Sequence, residues 1–282
     1  MNRYVEPASF ADRVSRIVAI ADRGHLVALG VFQELDEAPQ SVILQAPSLK
    51  RLRSLSLWSH TRRLIELACE LPLLATLTLQ NPLPAADASL LLAAPSLTDL
   101  SVIYAHEDLE CMSSVLQCPK LRRLALSCVS LEELLAVGPM PGWQQLRELS
   151  LSPSGSWDSL PETVAAVLSS LRSLRVLQLE GQMMDPLLAH LHLIPTLRRL
   201  IIDCDSLDWS DDLPHSDAAM LSLLRSSPDL ALDWLVDPSI SDEWLEPMLR
   251  PLIAEMGAQL IHFEEELDHD CYLSRFRLVR DA

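Results

Sequence analysis

The residues best equipped for chemistry lie near the carboxyl end of the chain. From His262 to Cys271 the sequence reads HFEEELDHDC, which places imidazole, carboxylate and thiol groups within ten positions. These groups are the usual protein ligands of divalent metals. Metal motifs also need fixed spacing, such as His-x-x-x-His on a helix or a Cys-x-x-Cys pair, and neither is present. We therefore expect an acidic surface turn here, with no metal and no cofactor.

The other reactive side chains are isolated from one another. His190 and His192 alternate in an apolar segment, so we expect one near the core and one facing outward. No nucleophile elbow, phosphate loop or Ser/His/Asp set is recognisable in the sequence, and seven glycines are few for loops that cradle nucleotides. The six cysteines are scattered and predicted to be free thiols: Cys69, Cys111, Cys118, Cys128, Cys204 and Cys271. The sequence therefore predicts a protein that is not an enzyme.

Leucine spacing is the strongest pattern in the chain. The motif Leu-x-x-Leu-x-Leu, or a close variant, begins at seven positions that lie 22 to 28 residues apart: Leu52, Leu74, Leu97, Leu121, Leu146, Leu174 and Leu197. An earlier copy begins at Leu26, and a degraded copy lies around Leu230–Val236. A period of about two dozen residues predicts a solenoid of stacked repeats.

Each repeat contains two different periodicities. Within the motif, leucines two apart lie on one side of a strand. Between motifs the spacing becomes helical, as in Leu64, Leu67, Ala68 and Leu71. One strand and one helix cannot bury their apolar faces alone, whereas stacked copies bury a continuous core between a parallel sheet and a layer of helices. The predicted fold class is therefore α/β.

This pattern resembles the leucine-rich repeat family of the longer strand–helix type, over roughly Leu26 to Val236. The resemblance implies a horseshoe with parallel strands on the concave face and helices on the convex face. The family's usual Asn or Cys, three residues past the last strand leucine, is missing, so we expect irregular turns. Irregular repeats with Pro-x-Leu-x-x-Leu, as in Pro119–Leu124, look most like the repeat regions of fungal F-box proteins.

That resemblance implies a non-catalytic protein-binding scaffold, a substrate-recognition module of a ubiquitin ligase that contacts a ligase adaptor. No F-box is visible in the sequence. We expect one domain over residues 1–282, with a helical cap in 1–25, eight or nine repeats in 26–236 and an acidic cap in 237–282. The cap helix is predicted over Ser9–Asp22, where apolar residues share one face.

The resemblance also implies that the concave face binds the partner. The residues that flank the strand leucines are the candidates: Ser56, Trp58, Thr78, Gln80, Ser101, Ile103, Arg123, Glu148, Gln178, Glu180, Arg199 and Asp203. Trp58 is the one large aromatic among them and either anchors a partner or packs on a neighbouring loop. Two long connections are predicted either as binding loops on one rim or as variable surface loops: they carry Trp157, Trp209, Asp211 and Asp212.

The charge of the chain is strongly unbalanced. The formal net charge is −17, and 18 acidic residues face 2 arginines between Asp203 and Asp270. This balance favours a basic protein partner and disfavours nucleic acid or an anionic membrane. A second hypothesis is therefore an acidic regulator that inhibits a basic protein by electrostatic mimicry. The alternative is that the charge only keeps a leucine-rich solenoid in solution.

Location and the end of the chain complete the predictions. No apolar run is long enough to span a bilayer, and the first 14 residues lack the apolar core of a signal peptide. We therefore expect an intracellular monomer, in the cytoplasm or nucleus. Gln259–Phe263 is predicted as a last strand. The alternating tail from Leu273 is predicted as an edge strand, whose arginines discourage further pairing.

Overall fold

The computed structural model describes residues 28–31, 47–58, 60–102, 109–129, 134, 137–153, 163–180, 184–204, 216–236, 249–254, 257–268 and 271–280. The predicted cap helix Ser9–Asp22 lies outside these ranges, as do residues 237–248 of the predicted acidic cap. Within them, residues 249–254 are helical, and Leu249 and Leu252 are fully buried.

Strands form wherever a leucine motif stands. In chain order they are β1 (Ala28–Val31), β2 (Ser54–Leu57), β3 (Thr76–Leu79), β4 (Asp99–Val102), β5 (Arg123–Val129), β6 (Glu148–Pro153), β7 (Val176–Glu180), β8 (Arg199–Asp203), β9 (Ala231–Val236), β10 (Ala258–Asp268) and β11 (Cys271–Arg280). They join in one sheet, in which β1 to β9 lie side by side in sequence order and every pair is parallel. The predicted α/β class and parallel sheet are confirmed, and the successive repeats build a solenoid.

Helices occupy the connections between these strands. They are α1 (Arg62–Glu70), α2 (Ala85–Ala88), α3 (Leu109–Val115), α4 (Val164–Ser170), α5 (Asp185–Leu188) and α6 (Asp217–Ser226), with short 3₁₀ helices at Pro47–Arg51, Ser89–Ala93, Pro141–Gln145 and Leu191–Leu193. The helical face predicted in the first full repeat is confirmed, because Leu64, Leu67 and Ala68 of α1 are buried. No helix in the described ranges is long and apolar enough to cross a membrane.

The core lies between the sheet and the helices. Eight leucines occupy equivalent positions on β2 to β9, and none exposes more than 4% of its surface: Leu55, Leu77, Leu100, Leu124, Leu149, Leu177, Leu200 and Leu232. Burying a leucine stabilises a fold by roughly 1.5–3 kcal/mol. Each leucine packs on the copies before and after it, so the core is continuous along the sheet.

Hydrogen bonds fix how one repeat stacks on the next. At the amino end of each strand from β3 to β8, two consecutive backbone N–H groups donate to one carbonyl of the preceding repeat. Arg122 and Arg123 both donate to Thr98, at 2.7 and 3.0 Å. Side chains add to this, as when the Gln145 amide donates to the Cys118 carbonyl at 2.8 Å. The turns are thereby held in register although their sequences differ.

The carboxyl end of the sheet departs from the prediction. The tail strand β11 lies between β9 and β10 and is antiparallel to both, so its prediction as an edge strand was wrong. Among the described strands, β10 lies at this edge instead. The reason is burial: Phe276 and Leu278 of β11 enter the core, and Arg277 pairs with the buried Asp233 of β9.

Candidate functional site: the open face of the sheet

The open face of the sheet consists of the side chains that alternate with the buried leucines. Its middle row crosses β2 to β6 in register and carries only small side chains: Ser56, Thr78, Ser101, Ala125 and Ser150. All five are half-buried, because their neighbours on adjacent strands cover them only in part. The strand backbone is therefore approachable from solvent along this row.

A depression of about 340 Å³ lies on this face and spans β3 to β8. Ala125 and Ser150 lie at its centre, where short side chains leave room above the sheet. Longer side chains surround them, and these carry charge or amide groups: Asp99, Arg123, Glu148, Gln178 and Arg199. The depression therefore combines a floor of small residues with a polar and charged border.

One border of the depression is a row of alternating charges on three adjacent strands. The Arg123 guanidinium lies between two carboxylates, 3.3 Å from Asp99 Oδ1 and 3.0 Å from Glu148 Oε2. The Arg123 side chain is 61% exposed, so water and salt screen both ion pairs. The row carries one net negative charge and is open to a partner.

A buried carboxylate lies on β9, beside the last strand that lines the depression. Asp233 on β9 is fully buried and accepts hydrogen bonds from two arginines on the flanking strands. Arg277 Nε and Nη2 donate to its two oxygens at 2.7 and 3.0 Å, and Arg199 Nε donates to Oδ2. The hydrogen bond to Asp233 raises the pKa of Arg277. This cluster joins β8, β9 and β11, so it ties the tail strand to the repeats.

Nine of the predicted binding residues lie on strands, and five of them line the depression: Ser101, Arg123, Glu148, Gln178 and Arg199. Ser56 and Thr78 lie on the middle row, together with Ser101, nearer the amino end of the array. Gln80, Glu180 and Asp203 lie at or just past the carboxyl ends of strands, outside the lining. Ile103, Trp157, Trp209, Asp211 and Asp212 lie outside the described residues. Their role in binding stays a prediction.

Trp58 follows β2 and is 45% exposed. An aromatic side chain of this size is among the residues that most often dominate protein interfaces. It lies several strands away from the centre of the depression, since the lining begins at β3. Its role as an anchor stays a prediction.

Asp233 is the residue that the sequence analysis missed. The segment LALDWLV looked like a degraded repeat, and its aspartate was counted only as part of the acidic stretch. The signal was present, because Asp233 occupies the middle-row position held by Ser, Thr, Ala, Gln or Ile on β2 to β8. A charge at that position needs a partner once the strand is covered.

Burial works against nucleophilic reactivity in three of the cysteines, Cys69, Cys118 and Cys204. Cys69, Cys111, Cys118 and Cys204 are free and buried. Burial raises the pKa of Cys69 to about 12 and that of Cys118 to about 11, and it raises the pKa of Cys204 as well. A thiol in such surroundings stays protonated at neutral pH. In the described ranges, no three His, Cys, Asp or Glu side chains come together as a metal site.

Comparisons with known proteins add little to this geometry. No protein-family model matches the chain, and no curated protein matches it. Among solved structures, an internalin from Listeria monocytogenes is similar over 84% of this chain and 72% of its own, with 14% sequence identity and a TM-score of 0.41. At that level of similarity the internalin contributes nothing to a functional assignment.

Proposed function

We propose that the protein is a non-catalytic scaffold that binds a protein partner on the open face of its sheet. The observation that carries the proposal is the depression of about 340 Å³, with a floor of small residues and a border of mixed charge. Small side chains let a partner's backbone come close to the strands. The hydroxyl groups of Ser101 and Ser150 can then donate and accept hydrogen bonds, and exposed Arg123 can meet a carboxylate.

The same proposal includes the shape and the extent of the domain. We infer that the strands line the concave side of a horseshoe, with the helices outside, and that one monomeric domain covers the chain with a cap at each end. A concave face would surround a partner segment and bury more of it than a flat sheet could. Trp58, near the amino end of the array, would extend the contact beyond the depression.

Matched tryptophan substitutions test this function. Ala125→Trp fills the centre of the depression, whereas Ala166→Trp places the same side chain on the exposed side of α4. Affinity capture from a eukaryotic lysate with wild type and both variants, read by quantitative mass spectrometry, should recover one partner with wild type and A166W and lose it with A125W. Circular dichroism should show that both variants are folded. Equal recovery with A125W would contradict the proposal.

Two more specific functions are supported by the sequence alone. Recognition of substrates for a ubiquitin ligase comes from the resemblance to fungal F-box repeats, and it predicts that the capture also recovers a ligase adaptor. The alternative, an acidic regulator of a basic protein, comes from the charge between Asp203 and Asp270. The regulator hypothesis predicts instead that the captured partner is washed off at about 0.5 M salt, because exposed charges are screened there.

A further inference from the structure

Basic residues are concentrated at one edge of the sheet, although the whole chain is acidic. All eight Lys and Arg residues between Leu109 and Asp203 lie in the turns that lead into β5, β6, β7 and β8, or on the first residue of those strands. Of the nine acidic residues in the same span, only Glu148 lies there. Parallel strands all start at the same edge, so these cations lie together.

Six of the eight cations have no carboxylate partner in the described part of the chain, and we call them the cationic edge: Lys120, Arg122, Arg147, Arg172, Arg175 and Arg198. The other two, Arg123 and Arg199, pair with acids on the open face. Lys120, Arg122 and Arg198 donate to neutral carbonyl oxygens, which leave the positive charge uncompensated. Five of the six are exposed, and Arg122 is half-buried.

Four arginines of this edge are held in a ladder by their own backbones. The Arg198 N–H donates to the Arg175 carbonyl, Arg175 to Arg147, and Arg147 to Arg122, at 2.9, 2.8 and 2.7 Å. Neighbouring strands are ~4.8 Å apart, so the ladder spans roughly 15 Å. The ladder keeps four like-charged residues on neighbouring strands, so their guanidiniums repel each other, and a bound anion would relieve that repulsion.

We propose that the cationic edge binds an acidic, Asp- or Glu-rich segment of a partner protein. Arginine predominates in the edge, and its planar guanidinium binds carboxylates through two parallel hydrogen bonds. An extended segment of about five residues matches the length of the ladder. A net charge of −17 repels a long polyanion such as nucleic acid, whose charge would extend past the edge. A short acidic segment confines its charge to the four strand starts.

The test uses the full-length chain and a fluorescein-labelled oligoglutamate of about six residues, long enough to cross the ladder. Arg147→Gln with Arg175→Gln removes two charges whose side chains have no bonded partner among the described residues, and the backbone ladder is unaffected. Arg63→Gln with Arg250→Gln removes two exposed charges elsewhere. By fluorescence anisotropy at low salt, the first pair should raise the Kd about tenfold, and the second pair should change it less than about twofold.

The outcomes that overturn the proposal are distinct. If the peptide does not saturate wild type, or if both double variants weaken binding equally, no defined site exists. Tighter binding of an oligothymidylate through the same arginines would identify nucleic acid as the occupant. A wild-type dimer dissociated by R147Q/R175Q would identify a second copy of the chain. Ala125→Trp should leave the peptide Kd unchanged, so this test fails or succeeds independently of the open face.

Discussion

The carboxylate of Asp233 is fully buried, and two guanidiniums face it from neighbouring strands. A buried charge is costly to leave without partners, and its partners are costly to leave without it. Since Arg199 and Arg277 remain about one-third exposed, water offsets part of that cost. Removing one member of the cluster should therefore cost less than removing one member of a fully buried ion pair.

Replacing this carboxylate gives a prediction at the residue scale. Asp233→Asn should lower the free energy of unfolding by on the order of 2 kcal/mol, because it leaves two guanidiniums facing a neutral amide. Asp99→Asn, which removes a carboxylate from an exposed pair with Arg123, should cost less than about 1 kcal/mol. Urea unfolding followed by circular dichroism measures both. Equal losses would mean that the cluster is no more stabilising than a surface pair.

The sequence predicted the open-face residues better than it predicted their partners. Strand alternation alone places Ser101, Arg123 and Glu148 on one face, and the structure brings them to one depression. Alternation does not tell which strand lies beside which when repeats become irregular. The pairing of Asp233 with Arg277 joins residues 44 positions apart across an antiparallel junction, so no local pattern could reveal it.

At the scale of elements, the connection before β6 shows how closely one repeat packs on the backbone of another. It ends in the 3₁₀ helix Pro141–Gln145, in which Gly142 and Trp143 are buried. The Trp143 indole donates to the Gly138 carbonyl at 3.0 Å. A Cβ on Gly142 would lie only 1.7 Å from the Leu116 carbonyl oxygen, so this connection packs directly on the backbone of the preceding repeat. Only glycine allows that approach.

This contact predicts a large effect from a small substitution. Gly142→Ala should lower the free energy of unfolding by at least about 2 kcal/mol, because backbone atoms of the preceding repeat must move. Gly138→Ala is the matched comparison: its Cβ meets nothing within 4 Å, but φ is +75°. That strain should cost about 1 kcal/mol. A thermal or urea unfolding series in which G142A is no worse than G138A would contradict the close approach.

The position of the terminal hairpin in the sheet could not be predicted from the sequence. Both tail segments alternate, and alternation is equally compatible with an edge strand and with a strand paired on both sides. Placing β11 inside the sheet depends on Phe276 and Trp234, paired in register and buried together, and on the charge of Asp233. These are tertiary contacts, so the sequence order of the strands suggested the wrong edge. The leucine period, by contrast, is local and placed nine strands without them.

At the scale of the whole molecule, net charge is a poor guide to its surfaces. The value of −17 favoured a basic partner, yet six cations without a carboxylate partner lie at one edge of the described sheet. A net charge summed over the chain contains no information about where the charged residues lie. The repeat brings residues about 25 positions apart in sequence to the starts of neighbouring strands. Because the repeat length is readable from sequence, this edge could have been found by aligning the motifs on their first leucine.

The central claim is that a protein partner contacts the open face, and site-directed photo-cross-linking tests it most directly. Ser150→Cys on the floor of the depression and Ser169→Cys on the exposed side of α4 would each carry a thiol-linked benzophenone. Cys69, Cys111, Cys118 and Cys204 are buried and react slowly by comparison. Irradiation in lysate, followed by mass spectrometry, should give one dominant cross-linked protein from position 150 and not from position 169. The same protein from both positions, or from position 169 alone, would contradict the account.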